Sequence, residues 1–355
     1  MRVHLKTVLV AVATLALLAW FFRSANLAEV WREIRSSRVE ALLLMLVMTL
    51  LTYVFRAVRW QCLLRPVGHA SFRQAFRTTV IGFAANTVLP ARVGEFVRPY
   101  LLARREGLSV TATFATIILE RLLDLVTVLL LFGLFVFIFD PGLSQVNAAV
   151  YRTVKAGGAL GAAGALLALI MVAVLASRPQ LVGTGAETLS RVLPAGLAAR
   201  VVNMARMFVQ GLAVAGEPRR LAEAVAWSVP LWLSIAVGIW FVTVAFRMTI
   251  PFTGSFLILA LLVVGVSVPT PGAVGGFHEA FRVGATVFYG VANDRAVGAA
   301  IVLHALSFLP VTIVGAAFML QDGLNLRRVR SIGEEARHAE QAAAPVAASE
   351  GERHP

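Results

Sequence analysis

Residues 86–98 read NTVLPARVGEFVR, and this stretch decides the fold that the sequence predicts. It interrupts an apolar region with a proline, a glycine, two arginines and a glutamate. Residues 269–279, PTPGAVGGFHE, repeat part of the pattern, because residues 90–96 and 271–277 share the frame P-x-x-V-G-x-F. Helix breakers at corresponding places in two halves of a membrane protein are typical of transporter binding sites.

The composition predicts a membrane protein. Apolar residues make up 59% of the 355-residue chain and charged residues only 14%, whereas soluble domains are about half apolar and about a quarter charged. The net charge of +13 fits basic cytoplasmic loops and anionic lipid rather than nucleic acid, because the arginines are scattered between apolar runs. The single cysteine, Cys62, excludes an intrachain disulfide.

We therefore predict an all-α polytopic membrane protein with about six full spans and two re-entrant helical hairpins. The predicted spans are 5–22, 40–55, 111–139, 150–176, 221–246 and 296–320, and the predicted hairpins are 72–102 and 252–291. Residues 187–212 form an amphipathic helix, which lies either at the membrane interface or against the bundle. The membrane domain covers residues 1–326, and residues 327–355 form a polar cytoplasmic tail that is disordered at its end.

The basic residues predict the orientation. Arginine and lysine concentrate in loops that place both termini in the cytoplasm, although the loop at 23–38 carries four arginines on the outer side. With this topology the halves, about 1–140 and 150–326, become inverted copies of each other, and their hairpins open from opposite sides. The sequence thus predicts an inverted repeat in a bacterial inner-membrane protein.

The first hairpin supplies candidate headgroup-binding residues. Arg92, Glu95 and Arg98 recur at three-residue spacing, so a helix would place them on one face. Two guanidinium groups with a carboxylate between them suit a phosphate, and Asn86 lies in the same segment. The alternative is a salt-bridge cluster that satisfies itself at the hairpin tip.

The third predicted span carries Glu120, Arg121 and Asp124. The two acids are four residues apart, so they share a helical face. They would hold Arg92 or Arg98 in place, bind a cationic headgroup or carry a proton. The alternative is an internal ion pair near the interface.

The second hairpin offers backbone rather than side chains. Gly272, Gly275 and Gly276 supply an unwound segment with free N–H groups that attract anions, and Glu279 follows them. The alternative is a tight loop that needs glycine. Arg56, Arg59 and Trp60, at the end of the second span, are expected to contact lipid phosphates at the cytoplasmic surface.

Neither a metal nor a cofactor is predicted. The histidines and acids match no metal-ligand spacing. No phosphate loop, nucleophile elbow, zinc-protease helix or dinucleotide fingerprint occurs, so the sequence favours a non-enzymatic role but leaves a transferase as an alternative.

Four motifs together resemble a known family, the lysylphosphatidylglycerol synthase transmembrane region, also called the flippase-like domain family. They are R-x-x-R-W at 56–60, N-x-x-L-P-x-R-x-G-E-x-x-R at 86–98, E-R-x-x-D at 120–124 and P-G-x-x-G-x-x-x-E at 271–279. The resemblance spans about residues 5–325, and Ala273 stands where the family often has glycine. It implies a relative of the lipid-translocating half of aminoacyl-phosphatidylglycerol synthases, without the aminoacyl-transferase domain.

Three functions follow as hypotheses. The first is a lipid translocase or lipid-binding transporter for a phosphate-bearing or aminoacylated lipid. The second is a membrane transferase or accessory subunit in lipid-linked glycan synthesis, with Glu95 or Asp124 as a base. The third is a non-catalytic scaffold for cell-envelope proteins. The expected partner is a membrane phospholipid or a lipid-linked substrate. Envelope-biosynthesis proteins are further candidates, and no nucleic acid is expected.

Overall fold

The computed structural model describes residues 12–139 without positions 13, 24, 90 and 91, part of the segment 152–167, and residues 218–332 without positions 268, 269, 326, 327 and 330. The described part consists of helices and turns and contains no β-strand, which confirms the all-helical fold class. Residues 14–22 are helical. The helices that follow are α1 (Leu27–Arg35), α2 (Val39–Leu64), α3 (Phe72–Val88), α4 (Gly94–Glu106), α5 (Val110–Leu134), α6 (Pro218–Ala245), α7 (Gly254–Ser267), α8 (Gly276–Tyr289) and α9 (Asn293–Gln321).

Four helices in the described part are long and apolar enough to cross a membrane. They correspond to α2, α5 with the π-helical turn Phe135–Phe139, α6 and α9, and they coincide with four of the six predicted spans. The outer surface of α2 is apolar, as a lipid-facing helix requires, because Leu43, Leu44, Val47 and Leu50 are exposed. Most of the predicted fourth span and all of the amphipathic helix at 187–212 lie outside the described residues, as do residues 333–355 of the tail.

Helices α3 and α4 form an antiparallel pair, which we call hairpin 1. Ser71 caps α3 by accepting a hydrogen bond from the Gln74 N–H, and its own hydroxyl donates to Glu106 at the far end of α4. The two helices approach most closely at Gly82 and Gly94, where a Cβ on Gly94 would lie 1.8 Å from the Gly82 carbonyl oxygen. Only glycine permits this approach.

Helices α7 and α8 form hairpin 2 with a similar contact. A Cβ on Gly265 would lie 2.4 Å from the Gly276 carbonyl oxygen. The connection contains the 3₁₀ turn Pro271–Ala273, and Gly272 and Gly275 have φ angles of 59° and 90°, which favour glycine. The segments 72–102 and 252–291 are therefore each a pair of helices with a close contact at glycine.

Packing brings the hairpins and the long helices into one body. Helix α6 lies along α2, and hairpin 1 packs on α9, where Gly315 faces Ala84 and Val80 of α3. The tips of the hairpins meet, because Arg92 Nη2 donates to the Val266 carbonyl oxygen at 2.9 Å. This arrangement places α2, α4, α5 and α6 around a polar interior.

Candidate functional site: a buried arginine–carboxylate cluster

The polar interior is built around two carboxylates of α5. Glu120 and Asp124 lie one helical turn apart and are 0% and 6% exposed. Glu120 follows the first residue of its helix by ten positions, or about 15 Å along the axis. The carboxylates therefore lie deep below the helix ends, at a depth where unpaired charges are costly.

Glu120 binds arginines from two other helices and its own neighbour. Its Oε1 accepts hydrogen bonds from Arg98 Nη1 of α4 at 2.9 Å and from Arg121 Nη2 at 2.7 Å. Arg59 Nη2 of α2 lies 3.7 Å from the same oxygen. One carboxylate oxygen thus connects α2, α4 and α5.

Asp124 extends the cluster toward α6. Its Oδ1 lies 2.8 Å from Arg59 Nη1 and accepts a hydrogen bond from Trp232 Nε1 at 3.0 Å. Its Oδ2 lies 3.3 Å from Arg121 Nη1 and 3.8 Å from Arg56 Nη1. The aspartate therefore connects both halves of the chain.

Aromatic rings and hydroxyls fix the arginines in place. The Arg98 guanidinium lies 3.8 Å from the Trp60 ring centroid, and Trp60 Nε1 donates to Thr116 Oγ1 at 2.9 Å. Arg59 Nη1 donates to Ser228 Oγ of α6 at 3.0 Å. These contacts restrict the conformations of the Arg59 and Arg98 side chains.

The cluster contains more positive than negative charge. Four arginines, Arg56, Arg59, Arg98 and Arg121, face only two carboxylates among the described residues. Several buried polar atoms of the cluster make no hydrogen bond: Arg56 Nη1, Arg59 Nε and Nη2, Arg98 Nε and Nη2, Arg121 Nε, Glu120 Oε2 and Asp124 Oδ2. Buried polar atoms are nearly always satisfied, so these six donors and two acceptors leave hydrogen-bonding capacity that water or an anion would fill.

The structure brings together four of the predicted headgroup-binding residues, Arg98, Glu120, Arg121 and Asp124. Glu120 pairs with Arg98, as one of the sequence hypotheses proposed, and Asp124 and Arg121 complete the group. Arg121 is the accessible member, since 40% of its side chain is exposed. It provides the contact between the buried cluster and the surface.

Arg56, Arg59 and Trp60 occupy a different place from the expected one. We expected contacts with lipid at the surface, but their exposed fractions are 7%, 0% and 0%. Helix α2 continues to Leu64, so these residues lie inside its last turns rather than beyond its end. These three residues therefore belong to the buried cluster and not to the membrane surface where we expected them.

Arg92 and Glu95 stand beside the cluster. Arg92 has a φ of 51° and precedes the first residue of α4, so it does not share a helical face with Arg98. Its Nη1 lies 3.7 Å from Glu95 Oε1, and Glu95 is close enough to Arg121 for their charges to interact. Asn86 Oδ1 lies at the glycine contact of hairpin 1 and makes no hydrogen bond.

The predicted site residues of hairpin 2 lie apart from the arginine–carboxylate cluster. Gly272 lies beside Thr87 of α3, and its carbonyl oxygen is 2.7 Å from His304 Nε2. Gly275 packs against Leu17, and Gly276 begins α8. Glu279 forms an ion pair with Arg282 and accepts a hydrogen bond from Trp20 Nε1 at 3.2 Å. In the structure these residues make no direct contact with the four arginines.

Sequence reasoning missed Ser228 and Trp232. Both lie on α6, more than 100 positions from the residues that they bind, Arg59 and Asp124. A tryptophan and a serine within an apolar span carry no local signal of a site. Only the packing of α6 on α2 and α5 brings them there.

A cavity of about 340 Å³ lies outside the cluster, between the end of α2 and the start of α6. Its polar lining includes Arg65 and Glu223, which form an ion pair at 2.6 Å. Cys62 donates to the same glutamate at 3.3 Å. Because Arg65 directly follows α2 and lies away from the cluster, it provides a control for substitutions of the cluster arginines.

The fold and the cluster define a class, a multi-pass helical membrane protein with a buried arginine–carboxylate site. Among models of protein families, that of the lysylphosphatidylglycerol synthase TM region matches residues 6–315 of the sequence. The chain belongs to this family.

Two curated relatives are similar to this chain, one over about a third of its length and the other over most of it. The UPF0104 membrane protein MJ1595 of Methanocaldococcus jannaschii is 26% identical over 138 residues, which cover 38% of this chain and 40% of the relative. Glycosyltransferase AglD of Haloferax volcanii is 25% identical over 359 residues, covering 92% of this chain and 55% of the relative. The chain thus spans about half the length of the curated relatives that it matches.

Proposed function

We propose that the protein binds the phosphate of a membrane lipid in the arginine–carboxylate cluster and moves the headgroup across the bilayer. The unsatisfied guanidinium donors carry this proposal. Guanidinium groups bind phosphate oxygens with paired hydrogen bonds, and a buried anion offsets charge that the two carboxylates leave uncompensated. Family membership and the four long apolar helices support a role inside the membrane.

The route to the cluster passes Arg121. Its side chain is 40% exposed while Arg98 and Glu120 are 3% and 0% exposed, so a headgroup meets Arg121 before the others. Glu95 and Arg92, at the tip of hairpin 1, are close to this position. Movement of hairpin 1 away from α5 would open the site, because Arg98 is the hairpin's link to Glu120.

The two hairpins provide the alternating-access element of the proposal. We place them as inverted repeats whose tips meet within the bilayer, which the contact from Arg92 to Val266 supports. The protein would lie in the cytoplasmic membrane with both termini inside, because Arg65, Arg73, Arg104 and Arg105 collect near the helix ends on one side. The lipid tails would stay in the bilayer as the headgroup passes.

We expect Arg56→Gln to slow translocation about tenfold, the effect of losing one charge-assisted hydrogen bond. The measurement uses proteoliposomes with tail-labelled fluorescent phosphatidylglycerol or phosphatidic acid and a membrane-impermeant quencher. Arg65→Gln, at the residue that follows α2 and lines the separate cavity, is expected to keep the wild-type rate. Equal rates for wild type and Arg56→Gln, with both proteins folded, would contradict the proposal.

A role in lipid-linked glycan synthesis is the second candidate. The match to glycosyltransferase AglD over 92% of this chain favours it. In that role the same cluster would hold the phosphate of a lipid-linked sugar for a transferase. Purified protein incubated with a labelled sugar donor and a lipid phosphate would form product if it were itself the transferase. Translocation of the finished lipid without product formation would favour the first candidate.

A further inference from the structure

We infer that the headgroup in the arginine–carboxylate cluster carries at least two negative charges, as a phosphate monoester or a diphosphate, rather than the single charge of a phosphodiester. The inference rests on the proposed function and names its substrate class. It follows from two properties of the cluster, the number of charges and the number of unsatisfied donors.

The charge count gives an excess of two. Arginine stays protonated in proteins, so the four guanidinium groups contribute four positive charges against the carboxylates of Glu120 and Asp124. Including the adjacent Arg92–Glu95 pair adds one charge of each sign and leaves the excess unchanged among the described residues. A phosphodiester would compensate one of the two charges, while a dianion compensates both.

The donor count agrees with the charge count. Six guanidinium nitrogens in the cluster are buried without a hydrogen bond, and they come from all four arginines. A phosphodiester presents only two unesterified oxygens, whereas a monoester presents three and a diphosphate more. Each additional unesterified oxygen accepts further charge-assisted hydrogen bonds from the cluster arginines.

The two carboxylate oxygens that make no hydrogen bond limit which chemical groups can lie next to the phosphate. Glu120 Oε2 and Asp124 Oδ2 make no hydrogen bond, so they accept a hydroxyl placed next to the phosphate. A cationic headgroup could also meet them, but it would add positive charge to a site that already has an excess. The geometry therefore points away from aminoacylated lipids and toward anionic ones.

The test measures binding to the full-length protein in phosphatidylcholine nanodiscs at pH 8. The probes share one diacylglycerol tail and differ in headgroup: phosphatidylglycerol, lysylphosphatidylglycerol, phosphatidic acid and diacylglycerol diphosphate. We expect phosphatidic acid and the diphosphate to bind at least about tenfold more tightly than phosphatidylglycerol, as one or more added charge-assisted hydrogen bonds predict. Lysylphosphatidylglycerol is expected to bind most weakly.

Two internal controls separate charge from shape. Arg56→Gln lowers the charge excess to one, so the preference for phosphatidic acid over phosphatidylglycerol should narrow, whereas Arg65→Gln should leave it unchanged. Lowering the pH from 8 to 5 should weaken phosphatidic acid binding but not phosphatidylglycerol binding, since the second phosphate pKa lies near 6.

The outcomes distinguish this inference from the proposed function. If phosphatidylglycerol or lysylphosphatidylglycerol binds as tightly as the dianions, and Arg56→Gln abolishes that binding, the inference is overturned and the proposed phosphate site stands. If no anionic lipid binds wild type more tightly than folded Arg56→Gln, both are overturned. A tighter affinity for dianions that depends on Arg56 supports both.

Discussion

Replacing Glu120 by glutamine is expected to destabilise the protein by about 3–5 kcal/mol, the loss typical of removing one partner from a buried ion pair. Glu120 is fully buried, and one of its oxygens lies within 4 Å of three arginines, Arg59, Arg98 and Arg121. The substitution keeps the shape of the side chain but leaves four guanidinium groups facing a single carboxylate. Thermal unfolding of the purified protein in detergent measures the effect.

Glu29→Gln is the matched control for this substitution. Glu29 forms an ion pair with Arg32 on α1, and 74% of the Arg32 side chain is exposed, so its loss should cost no more than about 0.5 kcal/mol. Adding Arg98→Gln to Glu120→Gln restores the wild-type charge excess and should destabilise less than the sum of the single changes. Equal melting temperatures for Glu120→Gln and Glu29→Gln would show that the cluster is not an electrostatic unit.

Gly94→Ala is expected to prevent hairpin 1 from closing. The new methyl group would lie 1.8 Å from the Gly82 carbonyl oxygen and 2.7 Å from Asn86 Oδ1. Overpacking against movable side chains costs about 1–3 kcal/mol, and a clash with backbone exceeds that because the helices themselves must separate. We expect a large fall in the yield of folded protein and loss of lipid binding, because Arg98 moves with α4.

The control for Gly94→Ala is Gly157→Ala. A Cβ on Gly157 meets no atom within 4 Å, and Gly157 is helical, so alanine should be neutral or slightly stabilising. Monodispersity by size-exclusion chromatography and the melting temperature report on both variants. Wild-type behaviour of Gly94→Ala would mean that the close contact between α3 and α4 is not required.

The sequence predicted the hairpins because their signals are local. Closely spaced proline and glycine disfavour a continuous helix, so residues 86–98 and 269–279 mark the tips without any knowledge of tertiary packing. The depth of Glu120 and Asp124 in an apolar run likewise marked them as paired or functional, and left open whether they hold an arginine, bind a cationic headgroup or carry a proton. The sequence did not distinguish Arg98 from Arg92 as the partner, and the structure pairs Glu120 with Arg98.

The composition of the cluster could not be predicted in the same way. Arg56 and Arg59 follow an apolar run, and such arginines are typical of a membrane surface. Their burial depends on Asp124 and on Ser228, which reach them only after α5 and α6 pack on α2. Arg92 differs for a local reason, since its positive φ removes it from the helix on which the spacing argument depended.

The central claim is that the arginine–carboxylate cluster holds a lipid phosphate, and the lipid that remains with the purified protein tests it most directly. Extraction and mass spectrometry would compare wild type, Arg56→Gln and Arg65→Gln after the same detergent wash. We expect a phosphate-bearing lipid to be enriched with wild type and Arg65→Gln and lost from Arg56→Gln. The same lipid in the same amount in all three proteins would contradict the claim.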